Sequence, residues 1–326
     1  MKMMILVTGA TGRIGHMLVE ALNKKYGRVK VLVREKSNLK PLEGCNCEYV
    51  YGDILDIGSL RRAFEGVDTV FHLAAHINIS FYDKKKTLNT NVNGTKNVVK
   101  ICMEKNINLI YTSSIHALST SDDVITEGSK LCTDTDEKRG IYDQSKSLAT
   151  KEVLFAMERG LKAIILIPTG VIGPSDFRPS SFGLGVIQSV KMGLSSTLEG
   201  KYDYVDVRDV VSGIVRAFDL KKYGEMYMLS GHLLDMKVYV EYLREFSGTP
   251  KFKPLALIKK SVAMFLGFVL GLFSKKSTIT PYSVATLHSN SNISHEKATR
   301  ELEYHPRDIK ESLYDQYIWF KDNGYF

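Results

Sequence analysis

The chain is expected to fold as an α/β protein: a doubly wound parallel sheet with a smaller, mostly C-terminal region for substrate. Three observations predict this. A short apolar run, a glycine-rich turn, a helical pattern and a second apolar run occupy the first 33 residues. Strand-like and helix-like stretches then alternate as far as Gly170. Beyond it the alternation weakens, yet no low-complexity linker intervenes, so the later part is expected to pack against the earlier one.

Residues 3–7 are apolar enough for a strand buried on both faces. Thr8-Gly9-Ala10-Thr11-Gly12-Arg13-Ile14-Gly15 follows at once, and Met17, Leu18, Ala21 and Leu22 then recur at helical spacing. Residues 29–33 form the second strand. In this setting the glycine turn points to a dinucleotide. Glycine lets the backbone approach a pyrophosphate, and the helix N-terminus offers free N–H groups and a positive dipole end. An acid just after the second strand would select NAD. Arg34 stands there instead, with Glu35 and Lys36 next to it. Arg34, Lys36 and Arg13 are three cations able to hold a 2′-phosphate, which favours NADP over NAD.

The third strand, 48–51, runs into Gly52-Asp53-Ile54. Asp53, at a strand's carboxyl end, is a candidate acceptor for adenine N6. A helix near 57–64 leads to a fourth strand at 69–75, Thr69-Val70-Phe71-His72-Leu73-Ala74-Ala75, which leaves through small residues. His72, a lone strand histidine, is expected to be a packed, hydrogen-bonded core residue. A long helix at 85–104 carries Asn91-Val92-Asn93-Gly94-Thr95, and the strand at 107–112 ends in Ser113-Ser114. A polar loop at 118–139 precedes a helix at 141–159. The next strand, 161–167, closes with Pro168-Thr169-Gly170. Further helices are expected at 182–192, 208–220 and 312–320, and strands at 203–207 and 227–229.

Tyr142 and Lys146 stand four apart on the 141–159 helix, which stacks them on one face. An ammonium beside a phenol favours the phenolate. Bringing a tyrosine from about 10 to near 7 takes roughly three units, or about 4 kcal/mol. The pair is therefore a candidate proton donor or acceptor.

Composition narrows the field. Lys and Arg exceed Asp and Glu by 44 − 36 = 8 over 326 residues. The excess is scattered in lysine pairs with no arginine-rich stripe, so a nucleic-acid partner is not expected. Cys45, Cys47, Cys102 and Cys132 form no CxxC pair and no zinc-spaced cluster, which suggests reduced thiols in a cytoplasmic protein and no metal. The N-terminus does not read as a signal peptide. Residues 261–274 are nearly all apolar and flanked by lysine pairs, but too few to span a bilayer. The stretch is expected to be a helix packed over the substrate pocket. Its alternative is a surface helix dipping into a membrane as a peripheral contact.

Taken together, the glycine turn, Gly52-Asp53, His72-Leu73-Ala74-Ala75, Asn91 to Thr95, Thr112-Ser113-Ser114, Tyr142 with Lys146, Pro168-Thr169 with Gly173-Pro174, and Val207-Arg208-Asp209-Val210 resemble the extended short-chain dehydrogenase/reductases of the NAD-dependent epimerase/dehydratase superfamily. The resemblance runs through nearly the whole chain. It implies a Rossmann-type nucleotide domain at 1–170, completed by parts of 203–230, and a mainly substrate-binding region at 171–326. It implies catalysis by Ser114, Tyr142 and Lys146. Tyr142 would be the general acid or base, Lys146 would lower its pKa and hold the nicotinamide ribose, and Ser114 would bind the substrate oxygen. Cofactor contacts are implied for Gly9, Thr11, Gly12, Arg13, Ile14, Gly15, Arg34, Lys36, Asp53, Ile54, Leu73, Ala74, Ala75, Asn91, Thr112, Tyr142, Lys146, Pro168 and Thr169. A homodimer paired through the 85–104 and 141–159 helices is also implied.

Within the family, Pro168-Thr169 with Gly173-Pro174 is similar to the dihydroflavonol reductase and 3β-hydroxysteroid dehydrogenase branch. That implies a ketone or secondary alcohol on a bulky, apolar substrate. A nucleotide-sugar epimerase or dehydratase is the alternative, and a non-catalytic NADP-sensing regulator a third reading.

Overall fold

The computed structural model describes residues 3–80, 82–132, 140–249, 255–273 and 277–326. In its first half, strands β1 (Ile5–Thr8), β2 (Val29–Val33), β3 (Cys47–Tyr51), β4 (Thr69–His72), β5 (Asn108–Thr112) and β6 (Ala163–Pro168) alternate with helices α1 (Arg13–Tyr26), α2 (Ile57–Ala63), α3 (Lys84–Leu88), α4 (Gly94–Lys105) and α5 (Ile141–Glu158). Strands β7 (Gly170–Ile172), β8 (Ser196–Leu198), β9 (Lys201–Asp206), β10 (Met226–Leu229), β11 (His232–Asp235) and β12 (Ala256–Ile258) follow. The later helices are α6 (Ser181–Lys191), α7 (Val207–Asp219), α8 (Met236–Ser247), α9 (Lys260–Phe273), α10 (Pro281–Thr286), α11 (Glu296–Leu302) and α12 (Ile309–Asp322).

Seven strands make one parallel sheet in the order β10-β6-β5-β4-β1-β2-β3. The strand order reverses between β1 and β4, and the crevice beyond their carboxyl ends is where such sheets bind ligands. Both faces of the sheet are covered, so β1, β4 and β6 are buried along their whole length. Leu18 and Leu22 of α1 pack on one face with Ile214 of α7, while Val98 and Ile101 of α4 and Val153 of α5 pack on the other.

Beyond β6, β10 completes the large sheet, and the other strands form two small sheets, β11-β9-β7 and β12-β8. The sequence pattern missed β7, β8, β11 and β12, since three-residue or half-exposed strands hold too few side chains for a period of two to register. It also missed α8, α10 and α11.

The long helix expected at 85–104 is present but interrupted by a π-helical turn at Asn89–Asn93. The cause is polar. Asn91 Nδ2 donates to His76 O and to Ser145 Oγ, and Asn91 Oδ1 accepts from His76 N. Thr95 Oγ1 meanwhile donates to Asn91 O. The bulge turns Asn91 inward, where it fixes the loop leaving β4 to α5.

Candidate active site

The glycine turn is shaped by contact with β4. Gly9 has φ +73°, and a Cβ there would lie 2.6 Å from Ala74 N. At Gly15 a Cβ would lie 2.1 Å from Gly9 O, so α1 can start directly against the turn only with glycine. Gly12 caps α1 without a side chain, and the first turn holds no acid. Its N–H groups and dipole therefore face an anion position. At the end of β5, Thr112 Oγ1 is buried without a hydrogen-bond partner. An uncapped helix end and a buried orphan hydroxyl at one sheet edge fit a polar, anionic ligand.

Arg34 and Lys36 are exposed just past β2, as is Glu35. Arg13 is placed differently from expectation. Its guanidinium is buried, donates to Val171 O at 2.9 Å and to Gly173 O, and lies 3.5 Å from Asp176. Burial pulls its pKa down, opposed by Asp176 and Asp206. Arg13 thus clamps the loop after β7 to the glycine turn, and in this geometry it is not a third cation for a 2′-phosphate. Asp53 Oδ1 accepts from Leu55 N, and Ile54 packs over Gly94. Leu73 N donates to Thr8 O, fixing the exit of β4 on the turn. Thr169 gives its hydroxyl to Asp203, and Pro168 pairs with Leu229. His72 is the packed residue expected of it, held between Thr8 Oγ1 and Thr95 Oγ1, and burial pushes it down to about 3.

Ser113 and Ser114 part company at the end of β5. Ser113 Oγ pairs with Thr150 of α5 at 2.6 Å, whereas Ser114 Oγ accepts from His116 N at 3.3 Å and is near enough to Tyr142 to oppose the rise in its pKa. Lys146, one turn on, donates to Thr112 O at 2.9 Å and to the Tyr111 hydroxyl at 3.3 Å. Ser114, Tyr142 and Lys146 are all buried. Burial governs both titrations. It pushes Tyr142 up to about 12, with nearby Ser114 opposing and Asp143 adding to the rise. It pulls Lys146 down to about 7. The expected depression of Tyr142 by Lys146 is absent here, because Lys146 is turned onto the β5 end instead of the phenol.

A second cluster adjoins Tyr142. His116 meets the Tyr142 ring edge-on at 5.5 Å, and its Nδ1 lies 2.9 Å from both Asp143 Oδ1 and the Tyr282 hydroxyl. Its Nε2 lies 3.2 Å from the Tyr202 hydroxyl. Tyr282 also donates to Asp143. Sequence reasoning did not select these residues. His116 had one available signal, its place two residues beyond Ser114 on the same strand exit. Tyr202 and Tyr282 had none, being brought in from β9 and α10.

A glycine turn at the switch point of a parallel sheet, beside a buried Ser–Tyr–Lys set, defines an enzyme of the dinucleotide-binding α/β class. More particularly, the chain belongs to the NAD dependent epimerase/dehydratase family, whose model matches residues 5–229. It is similar to sterol demethylase protein B of Methylococcus capsulatus, at 28% identity with 99% of each chain covered. A putative dihydroflavonol 4-reductase of Synechocystis is 28% identical, over 98% of this chain and 95% of that one. The crystal structure of gox2253 superposes with a TM-score of 0.85, at 28% identity and 99% coverage of both chains.

Proposed function

We propose that the protein is an NADP-linked oxidoreductase that reduces a ketone, or oxidises the matching secondary alcohol, on a bulky apolar substrate. The observation that carries this is the buried set of Ser114, Tyr142 and Lys146, with the rings of His116, Tyr202 and Tyr282 beside it. A nicotinamide, when bound, supplies or accepts the hydride. The chain supplies the proton and the positioning. Ser114 holds the substrate oxygen. Tyr142, kept protonated by burial, donates to that oxygen in reduction. Oxidation needs the phenolate, and for that Lys146 must leave Thr112 O and approach Tyr142 with its charge. The side chains next to Tyr142 are His116, Tyr202 and Tyr282, which suit an apolar ring system better than a sugar diphosphate.

The glycine turn, Asp53, Ile54 and Leu73 to Ala75 are our candidate dinucleotide contacts, with Asn91, Thr112, Pro168 and Thr169 nearer the nicotinamide. Arg34 and Lys36, exposed after β2, would hold a 2′-phosphate. Residues 1–170, completed by β10, serve as the nucleotide portion and 171–326 mainly bind substrate. We further propose a homodimer through α4 and α5, where Met103, Leu148 and Phe155 are exposed. Cys45, Cys47, Cys102 and Cys132 form no disulfide among the described residues, and we place the protein in a reducing, cytoplasmic setting.

The test is loss of reduced-nicotinamide absorbance with NADPH and then NADH. Steroid ketones, dihydroflavonols, aromatic ketones and 4-keto nucleotide sugars form the panel. Reduction of an apolar ketone that falls about 10²- to 10⁴-fold in Tyr142→Phe is the expected result. No net oxidation, with cofactor retained on the purified protein, would move the assignment to an epimerase or dehydratase. Unchanged cellular function in Tyr142→Phe would point to a sensor.

A further inference from the structure

Helix α9 packs in the opposite sense from a core helix. Its small residues Ala263, Gly267 and Gly271, four apart, face inward. A Cβ at Gly267 would lie 2.9 Å from the Thr280 backbone, so the helix rests directly on the start of α10. The large side chains Val262, Phe265, Leu266, Leu270, Leu272 and Phe273 are exposed, Phe265 by 67% and Phe273 by 87%. The sequence-based expectation of an apolar helix covering the substrate pocket is therefore not met by these side chains, which point to solvent.

The segment of sequence that carries this face has charge of one sign. From Phe246 to His295 the sequence holds no Asp or Glu and six lysines. Lys259 and Lys260 are exposed at the start of α9; Lys251, Lys253, Lys275 and Lys276 lie outside the described residues and enter only by sequence position. A second copy on this face would set lysines against lysines. An anionic lipid surface meets both features at once, taking the apolar side chains into the acyl boundary and the lysines at the headgroups. Among the described residues no helix is long and apolar enough to cross a membrane. A 14-residue helix, about 21 Å long, can lie along one.

We propose that α9 docks the protein on the surface of an anionic bilayer. The mounting of α9 couples this face to the active site. Tyr82 donates to Leu272 O from the loop that leaves β4. The α10 segment beneath Gly267 carries Tyr282 to Asp143 and His116. Docking stands independently of the substrate; only the entry of an apolar ketone from the lipid side rests on the function proposed above.

The experiment is co-sedimentation of the full chain with phosphatidylcholine vesicles, with and without phosphatidylglycerol, at low and high salt. Binding to the anionic vesicles is expected to exceed that to neutral ones by roughly tenfold and to weaken with salt. Phe265→Glu with Phe273→Glu should abolish it, and Lys259→Glu with Lys260→Glu should reduce it, with circular dichroism and melting unchanged. No sedimentation of the parent protein, or sedimentation equal in the phenylalanine variant, overturns the proposal. So does a non-binding parent whose oligomer breaks in that variant, since a second copy then covers the face. None of these readouts involves ketone reduction, so failure of the substrate assignment would be seen separately.

Discussion

Replacing Lys146 by Met should make the protein more stable and less active. Burial lowers the ammonium from 10.5 to about 7. A base with a depressed folded pKa binds fewer protons folded than unfolded between those values, so stability rises with pH through that window. With these two values the penalty is about 4 kcal/mol at pH 7 and about 2 kcal/mol at pH 9. Lys146→Met removes it, but also removes the bonds to Thr112 O and the Tyr111 hydroxyl, at about 1 kcal/mol each. The net gain is about 2 kcal/mol at pH 7 and near zero at pH 9. At roughly 1.5 °C per kcal/mol for a chain of this length, the melting temperature should rise by about 3 °C at pH 7. The rise should disappear by pH 9. Thermal unfolding of both proteins from pH 6 to 9 measures this. Ketone reduction should meanwhile fall about 10²- to 10⁴-fold. A variant less stable than its parent at pH 7, with the same pH slope, would refute the claim that Lys146 is held against its solvation preference.

Other substitutions separate the cations around the glycine turn. Arg34→Ala with Lys36→Ala should weaken NADPH about tenfold or more while leaving NADH nearly unchanged, read by fluorescence titration. Arg13→Ala should instead weaken both cofactors alike. It takes the cation from buried Asp176, which keeps only its bonds from Ser180, and frees two loop carbonyls, so unfolding in urea should report a loss of about 3–5 kcal/mol. Phe177, whose ring meets His16 of α1 edge-on, should become more accessible in the same variant, by solvent quenching of the adjacent Trp319.

Much of the first 170 residues was legible because the signals there are local. The run from Met3 through Gly15 to Val33 contains its own strand, turn and helix, and the fold places them where the pattern expects. The spacing of Tyr142 and Lys146 likewise needs only a helix. The later half was harder. The β11-β9-β7 sheet pairs residues 28 to 34 positions apart through strands of three to six residues, and no local pattern specifies such a pairing. Val207-Arg208-Asp209-Val210 was visible as a motif, but its physical work was not. Arg208 pairs with Asp206 and Asp315, and Asp209 accepts from Arg307, so the segment ties α7 to α12 and to the segment before it.

What the sequence determined by itself was the order of strands and helices around the glycine turn and the presence of Ser114, Tyr142 and Lys146 at positions able to meet. These follow from backbone periodicity and from glycine's tolerance of close approach. Tertiary structure alone decided the partners. It gave the Arg13 guanidinium to Val171 and Gly173, turned Lys146 onto Thr112, and drew Tyr202 and Tyr282 to His116. It also set the small residues of α9 inward and its phenylalanines outward. Each choice depends on which distant carbonyl, carboxylate or backbone comes within about 3 Å, a distance that only the packed chain defines.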